Sequence, residues 1–399
     1  MMLRVSPLLF RTGQRRRLSS QASVVGGGGK GKYDIVFCGT DRFACAVLSG
    51  LLGRPDLCRS IKVLTPSDAP NTWASRKRIA EVPLRRLAED SGLAHNALPR
   101  DVPMSEWEPP PGLFPPAPAV PASPGTNSNV LLTASFGHVI PPAILGLYAP
   151  GARLNVHPSL LPQLRGAAPV QWAIARRLAR TGVSIQGLEA AIDTGRVFAR
   201  HALDVGLDEE VDVDLARVDS RKAPTYETLL DRLEPIAVRL LLDVLSNLEA
   251  RASAATPQSE LGPASRAPKV RREHAEVRWD RWTAHDIEAR HRAFSYLFPL
   301  SATLEPGRSG AARDVRVLLR SVHVGTAETG AEAGAAPPLA PGQARLSRSG
   351  GHLEVGCADD THLCVSQLQT AGKRAMDATH WIVGYRDRAD ARTGLLTFT

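Results

Sequence analysis

"YDIVFCGTDRFACAVLSGLL", residues Tyr33–Leu52, decides the fold. Its first seven residues read as a buried strand, Gly39 sits at the turn, and RFACAVLSGLL continues with apolar residues at helical spacing. The order then repeats along the chain. IKVLT reads as a strand, LRRLAEDSG as a helix stopped by Gly92, and VLLTASFGHVIP as a buried strand running into a loop at Gly137 and His138. RLNVH is the next strand and APVQWAIARRLA the helix behind it; TGVSIQGLE is a further strand, and AAIDTGRVFARHALDV a turn between two extended pieces. A long amphipathic helix, YETLLDRLEPIAVRLLLDVLSNLE, closes the unit. Alternating strands and helices predict an α/β domain: a Rossmann-like, doubly wound, mostly parallel sheet. Gly39 stands without a GxGxxG, so this sheet carries no dinucleotide fingerprint.

At 399 residues the chain is too long for one ordinary domain. Past about residue 260 its texture changes. RWTAHDIEARHRAF reads as helical, while DVRVLLRSVHV, GHLEVGC and HLCVSQLQ are short strands between turn-rich stretches. That pattern predicts a smaller β-barrel-like (OB-like) domain. The division is 1–32 as a leader, 33–255 as the first domain and 262–399 as the second. A Pro-rich stretch around 108–125 and an Ala/Gly-rich tract at 325–342 read as surface insertions.

The net charge of +9 is unevenly placed. Residues 1–33 hold seven Lys/Arg and no acid, residues 34–261 carry −2, and residues 262–399 carry +4. The acid-free, Arg- and Ser-rich leader has the composition of a mitochondrial transit peptide, and a mitochondrial matrix location follows as an expectation; a disordered basic tail is the alternative. Gly26–Lys32 satisfies GxxxxGK by letter, but Tyr33 stands where Ser/Thr would touch magnesium, and a strand comes next where a phosphate loop needs a helix. The five cysteines are odd in number and show no CxxC pair, which argues against a disulfide framework or a structural zinc site. No apolar run reaches membrane-spanning length.

RLNVHPSLLPQLRGAAPVQW, Arg153–Trp172, carries the chemistry. In a strand, residues two apart project from one face, so Asn155 and His157 leave the carboxyl end of the sheet together, where open α/β sheets place ligands. Asp193 lies in the turn AIDTG, thirty-six residues after His157. A carboxylate reaching back would fix the orientation and tautomer of the imidazole. An Asn amide can donate to an oxygen that gains negative charge. No activated Ser or Cys stands nearby, which points to direct acyl-type transfer rather than a covalent enzyme intermediate. Spacing alone leaves two readings open: a catalytic trio, or a structural histidine beside an ordinary Asp-Thr-Gly turn.

NVHPSLLPQLRGAAP, with TGVSIQGLEAAIDTG after it, closely resembles the signature of the folate-dependent formyltransferases. The resemblance implies the formyltransferase fold, with Asn155, His157 and Asp193 as catalytic residues and 10-formyltetrahydrofolate as co-substrate, without a metal. It also implies that Ser159, Leu160, Leu161 and Pro162, with Phe136 and Gly137, border the folate. FCGTDRFACAVLSGLL, the SRK loop, APKVRREHAEVRWDRW and QLQTAGKRAMDATHWIVGYR together look like the methionyl-tRNA formyltransferases, of the mitochondrial type, from about Tyr33 to about Tyr385. That likeness implies methionyl-initiator tRNA as partner, bound in part by Arg76, Lys77, Lys373 and Arg374, and a monomer is expected. Each of those four charges has the alternative of a solvated surface residue.

The sequence departs from the family pattern at Asp41, in GTD where GTP is usual, and at His138 in SFGHVIP. The competing readings are another formyltetrahydrofolate-dependent hydrolase or transferase, and a catalytically dead RNA-binding relative. The carboxyl-terminal LQTAGKRAM segment argues against the first, and the intact Asn/His/Asp trio against the second.

Overall fold

The first strand shows why one stretch decides the architecture. In β1 (Tyr33–Gly39), Ile35 and Phe37 join one apolar core while Val36 and Cys38 join a second on the opposite face. A strand buried on both sides must be apolar at every position, which is why it reads as a continuous run. At its end a Cβ on Gly39 would lie 2.7 Å from Ala44 Cβ and 2.8 Å from the Ala134 carbonyl, so only glycine fits. Asp41 then caps α1 (Arg42–Leu52), accepting from the Ala44 amide at 3.2 Å. This cap gives a physical reason for the aspartate in GTD, because its carboxylate satisfies an amide the helix leaves unbonded.

The structure is a computed structural model that describes residues 31–70, 79–99, 102–116, 128–205, 223–306, 313–325, 337–348 and 350–399. The leader up to residue 30, Arg76, Lys77, residues 117–125 of the Pro-rich insertion and residues 326–336 of the Ala/Gly tract lie outside the described residues.

After α1 come β2 (Cys58–Pro66), a two-stranded ribbon of β3 (Ala69–Pro70) and β4 (Ile79–Ala80), α2 (Pro83–Asp90), β5 (Ala94–Leu98) and β6 (Asn129–Ala134). The short α3 (Pro142–Leu145) precedes β7 (Arg153–His157); next are α4 (Pro169–Ala175), β8 (Arg180–Gly187), β9 (Val197–Asp204), α5 (Tyr226–Ser246) and α6 (Leu248–Ser253). The seven-stranded sheet has the order β5-β2-β1-β6-β7-β8-β9. Its strands are parallel except at β8, which runs antiparallel to both neighbours. The larger core lies between this sheet and α1, α4 and α5, and the smaller one under α3 and the 104–114 segment.

The second sheet is built from β10 (Leu300–Leu304), β11 (Val315–Val324), β12 (Gln343–Leu346), β13 (Leu353–Gly356), β14 (His362–Thr370), β15 (Ala375–Asp377) and β16 (Leu396–Thr397). The helix α7 (Ala284–Phe294) precedes β10, and α8 (Ala378–Val383) lies between β15 and β16. The order β10-β11-β14-β13-β12-β16 curls until its two ends meet. Thr303 and Thr399 exchange backbone hydrogen bonds at 2.8 Å each way, which joins β10 to the segment after β16. Trp279, Trp381 and Phe398 fill the interior with aliphatic side chains from alternate strand positions. α7, capped by Thr283 through the Asp286 amide, packs on α4 and seats Phe294 in the first core, edge-on to Trp172. No helix among the described residues is long and apolar enough to cross a membrane.

Candidate active site

β7 delivers Asn155 and His157 between β6 on one side and β8 on the other. The register sets Thr133 of β6 beside Asn155, Gln186 of β8 across from it, and Ser184 across from His157. One row of polar side chains therefore crosses three otherwise largely apolar strands. Thr133 Oγ1 donates to Asn155 Oδ1 at 2.8 Å, and Asn155 Nδ2 donates to Asp193 Oδ1 at 3.3 Å. Gln186 Nε2 donates to the same carboxylate oxygen at 2.7 Å. The Gly166 amide donates to Asp193 Oδ2 at 2.8 Å.

A second glutamine extends the row. Gln258, in the connector after α6, gives its Nε2 hydrogens to Gln186 Oε1 at 3.2 Å and to the carbonyls of Asp193 and Gly195 at 3.0 and 2.8 Å. Its Oε1 accepts both Arg165 Nε and Nη2, at 2.9 and 2.7 Å. The polarity of this network is fixed at its ends by groups that have no choice: a guanidinium only donates, and a carboxylate only accepts. Asn155 must therefore turn Nδ2 toward Asp193, leaving that nitrogen a second hydrogen to give.

His157 is held differently from the sequence expectation. Its Nε2 lies 3.0 Å from the Leu164 carbonyl, which can only accept, so that nitrogen carries a proton. Nδ1 is then the nitrogen that gains or loses one, and it faces Asp193 Oδ1 at 3.7 Å. This separation is longer than a hydrogen bond. The imidazole is oriented by a backbone carbonyl, and Asp193 acts on it as a neighbouring charge. Both side chains are nearly out of water, 6 and 11 % exposed, so that charge acts with little screening.

The loop between them keeps this geometry. Leu164 and Asp193 both adopt left-handed backbone, φ +59 and +54°, a conformation that costs about 1–3 kcal/mol for a residue with a side chain. A strip of the connector holds them there. The Leu164 amide donates to Ser265 Oγ at 2.9 Å, Arg165 N to the Ser265 carbonyl at 2.8 Å, and Ala267 N back to the Arg165 carbonyl at 2.7 Å. Gly166, at φ +119, brings its amide to Asp193 while a Cβ there would sit 2.7 Å from the Ala267 carbonyl.

Of the residues expected to border the folate, Ser159 and Leu161 are fully buried and Pro162 is buried, while Leu160 is half-exposed. Ser159 spends its hydroxyl on the Gln163 carbonyl at 2.7 Å, and Ser184 clamps the loop by donating to the Ser159 carbonyl and accepting from the Leu161 amide. These residues stiffen the wall; of the four, Leu160 has most surface to offer. Phe136 is buried in the smaller core, and Gly137 beside it is exposed at φ +75. Lys373 and Arg374 are exposed on the turn between β14 and β15, with the Lys373 ammonium 6.0 Å from the Tyr385 ring.

Thr133, Gln186, Gln258, Arg165 and Gly166 belong to the site without being visible as site residues in the sequence. The available signal for the first two is a polar side chain inside an apolar strand, VLLTA and VSIQG. Burial without a partner is costly, so such residues announce a network. Gln258 lies far along the chain with no pattern around it.

Residues 120–226 match the Formyl transferase family model, and residues 269–386 match that for the Formyl transferase, C-terminal domain. The chain is 31% identical over 360 residues to a methionyl-tRNA formyltransferase of Roseobacter denitrificans, covering 88% of this chain and 95% of that one. It is 28% identical over 350 residues to a methionyl-tRNA formyltransferase of Pelobacter propionicus, covering 88 and 92%. Among solved structures, the sugar 3N-formyl transferase WlaRD, crystallised with dTDP and 5-N-formyl-THF, superposes with a TM-score of 0.50 at 12% identity over 86% of this chain and 99% of that one. An N-formyltransferase from Helicobacter canadensis, in complex with folinic acid and dTDP-3-aminofucose, gives 0.50 at 12% identity over 85 and 99%.

Proposed function

The chain belongs to the methionyl-tRNA formyltransferase family, and on that premise we propose that it moves the formyl group of 10-formyltetrahydrofolate to the α-amine of methionyl-initiator tRNA inside mitochondria. The observation that carries the chemical reading is the convergence of Asn155, His157 and Asp193 at one end of the sheet, with each partner's polarity fixed.

The amine lone pair attacks the formyl carbon, and the carbonyl electrons move to its oxygen. Asn155 donates its second Nδ2 hydrogen to that oxygen; a placed donor of this kind is commonly worth about 2.7–4 kcal/mol. The proton released by the attacking nitrogen passes to His157 Nδ1, directly or through a water. Nε2 keeps its own proton on the Leu164 carbonyl throughout. The Asp193 carboxylate balances the imidazolium that results. The oxyanion then collapses, the bond from carbon to N10 breaks, and the proton returns to N10, leaving formylmethionyl-tRNA and tetrahydrofolate.

In this reading Gly137 and Leu160 offer the accessible surface of the folate wall and the buried Phe136 backs it. The formyl-transfer activity of the family and fold neighbours crystallised with formyl-folates support a folate there. Lys373 and Arg374 offer phosphate contacts from the second domain, with Arg76 and Lys77 proposed alongside them. The acid-free leader supports the mitochondrial address.

The test is direct. The full chain, 10-formyltetrahydrofolate and charged initiator tRNA should yield formyl-methionine after hydrolysis of the ester, and residues 1–32 fused to a fluorescent reporter should carry it to mitochondria. A chain that formylates no methionyl-tRNA defeats the catalytic reading. A reporter that stays in the cytosol defeats the address.

A further inference from the structure

The wall of the barrel gathers three side chains that the formyl chemistry leaves unused. β14 lies between β11 and β13, and His323 of β11 stands directly across from Cys364 of β14. Leu363 and Val365 are buried in the barrel core, so Cys364 between them projects from the outer face. It is nevertheless 5 % exposed. His352, just before β13, reaches the same place from the other side: the rings of His323 and His352 lie 5.5 Å apart, nearly edge-to-face. One ring nitrogen of each histidine and the Cys364 sulfur all fall within 4.8 Å of one another.

We propose that His323, His352 and Cys364 bind a zinc-class divalent cation, with water in the fourth position. Two imidazoles and a thiolate are borderline-to-soft donors, the set that suits zinc; magnesium and calcium need oxygen ligands, and the neighbouring carboxylate, Glu354, is engaged by Arg345 at 2.9 Å. Tetrahedral zinc with ordinary bond lengths sets neighbouring N and S ligands roughly 3.3–3.6 Å apart. The three atoms therefore close by about an ångström, which rotation of the exposed His323 and half-buried His352 supplies while Cys364 stays on its strand. The Cys364 thiol gives its proton to solvent as the metal–sulfur bond forms. The ion would tie three adjacent strands of the barrel, and because the unfolded chain lacks that geometry, binding favours the folded state.

The spacing explains why no motif shows this. The ligands stand at 323, 352 and 364, with neither CxxC nor HxxxH among them, and come together only through strand pairing.

Chelator-treated full-length protein titrated with Co(II) should bind one equivalent with a thiolate-to-metal charge-transfer band and the intense visible bands of a tetrahedral site, both displaced by Zn(II). Zn(II) should also raise the melting temperature. Cys364→Ser should abolish the charge-transfer band. His323→Gln, at an exposed position, should weaken binding by about 100-fold, since even hydrogen-bond partners behind a ligand cost roughly 10–100-fold when removed. Cys45→Ser, in the first domain, should change neither. Absence of a sulfur-to-cobalt band at one equivalent, a band that persists in Cys364→Ser, or unchanged affinity in His323→Gln each overturns the proposal, and none of these readouts depends on formyl transfer.

Discussion

In the proposed mechanism Thr133 acts only through Asn155, and this can be measured. Thr133→Val keeps the side-chain volume at a position that is 4 % exposed and removes the 2.8 Å hydrogen bond to Asn155 Oδ1, with a 3.5 Å contact to the Leu154 carbonyl. A net hydrogen bond is worth about 0.5–1.5 kcal/mol, and if all of it orients the amide, turnover falls about two- to tenfold. Asn155→Ala removes the donor itself and should lower turnover by about 10²–10³. The double variant should be no slower than Asn155→Ala, because the hydroxyl then has nothing left to hold. Its coupling energy equals the whole cost of Thr133→Val. Single-turnover formylation, with protein in excess over charged tRNA, reads the chemical step, and urea midpoints show whether either variant has lost stability. Effects that multiply in the double variant would show that the hydroxyl works independently of Asn155, and the ordered row across β6, β7 and β8 would not be what aims the amide.

Gly166→Ala should be doubly costly, since φ +119 is hostile to a side chain and the new Cβ meets the Ala267 carbonyl at 2.7 Å; a loss of about 1–3 kcal/mol in urea unfolding is expected, with a fall in turnover as the Asp193 partner moves. Stability should decline on acidification through the histidine range. Burial lowers the pKa of His95, His138, His274, His285 and His291 below the ordinary 6.5, so the unfolded imidazoles take protons first. Their contribution is complete above about 6.5 and drains away below it, and the urea midpoint should fall between pH 7.5 and pH 5.5. Lys373→Ala and Arg374→Ala should weaken tRNA binding across sequences, each reducing the slope of log affinity against log salt by roughly 0.7–0.9. An unchanged slope would make these two residues ordinary surface charges.

How much the sequence disclosed depends on how local each feature is. The central strands β1 and β6 are nearly continuous apolar runs, and the strand–helix order of 33–52 reappears in the structure as β1 and α1, whereas β5, AHNAL, has no such run and escapes the sequence reading. Asn155 and His157 are legible because two residues of one strand share a face, and the left-handed Asp193 sits in a turn the chain spells as DTG. The hydrogen bond expected between His157 and Asp193 is a different matter. It depends on the Leu164 carbonyl, which competes for the imidazole and is placed by a connector about a hundred residues further on. Gln258 and the His323–His352–Cys364 group share that difficulty, since pairing between distant segments creates them and no spacing rule records it. The single antiparallel strand β8 is likewise a matter of which edge the chain returns to, and its residues read the same in either direction.

The connector that leads from the sheet to the barrel is bonded to the loop after β7 along Ser265 and Ala267 and through Gln258. Severing the polypeptide near residue 255 would therefore leave a first half with its full sheet but with Leu164, Arg165 and Asp193 unbraced. With the two halves produced separately, the reacting groups would regain their posture only when the missing strip was supplied in trans. If the proposed mechanism holds, the boundary drawn by sequence texture is not a boundary for catalysis, and transplanting the formylating module would require the dozen residues beyond 255.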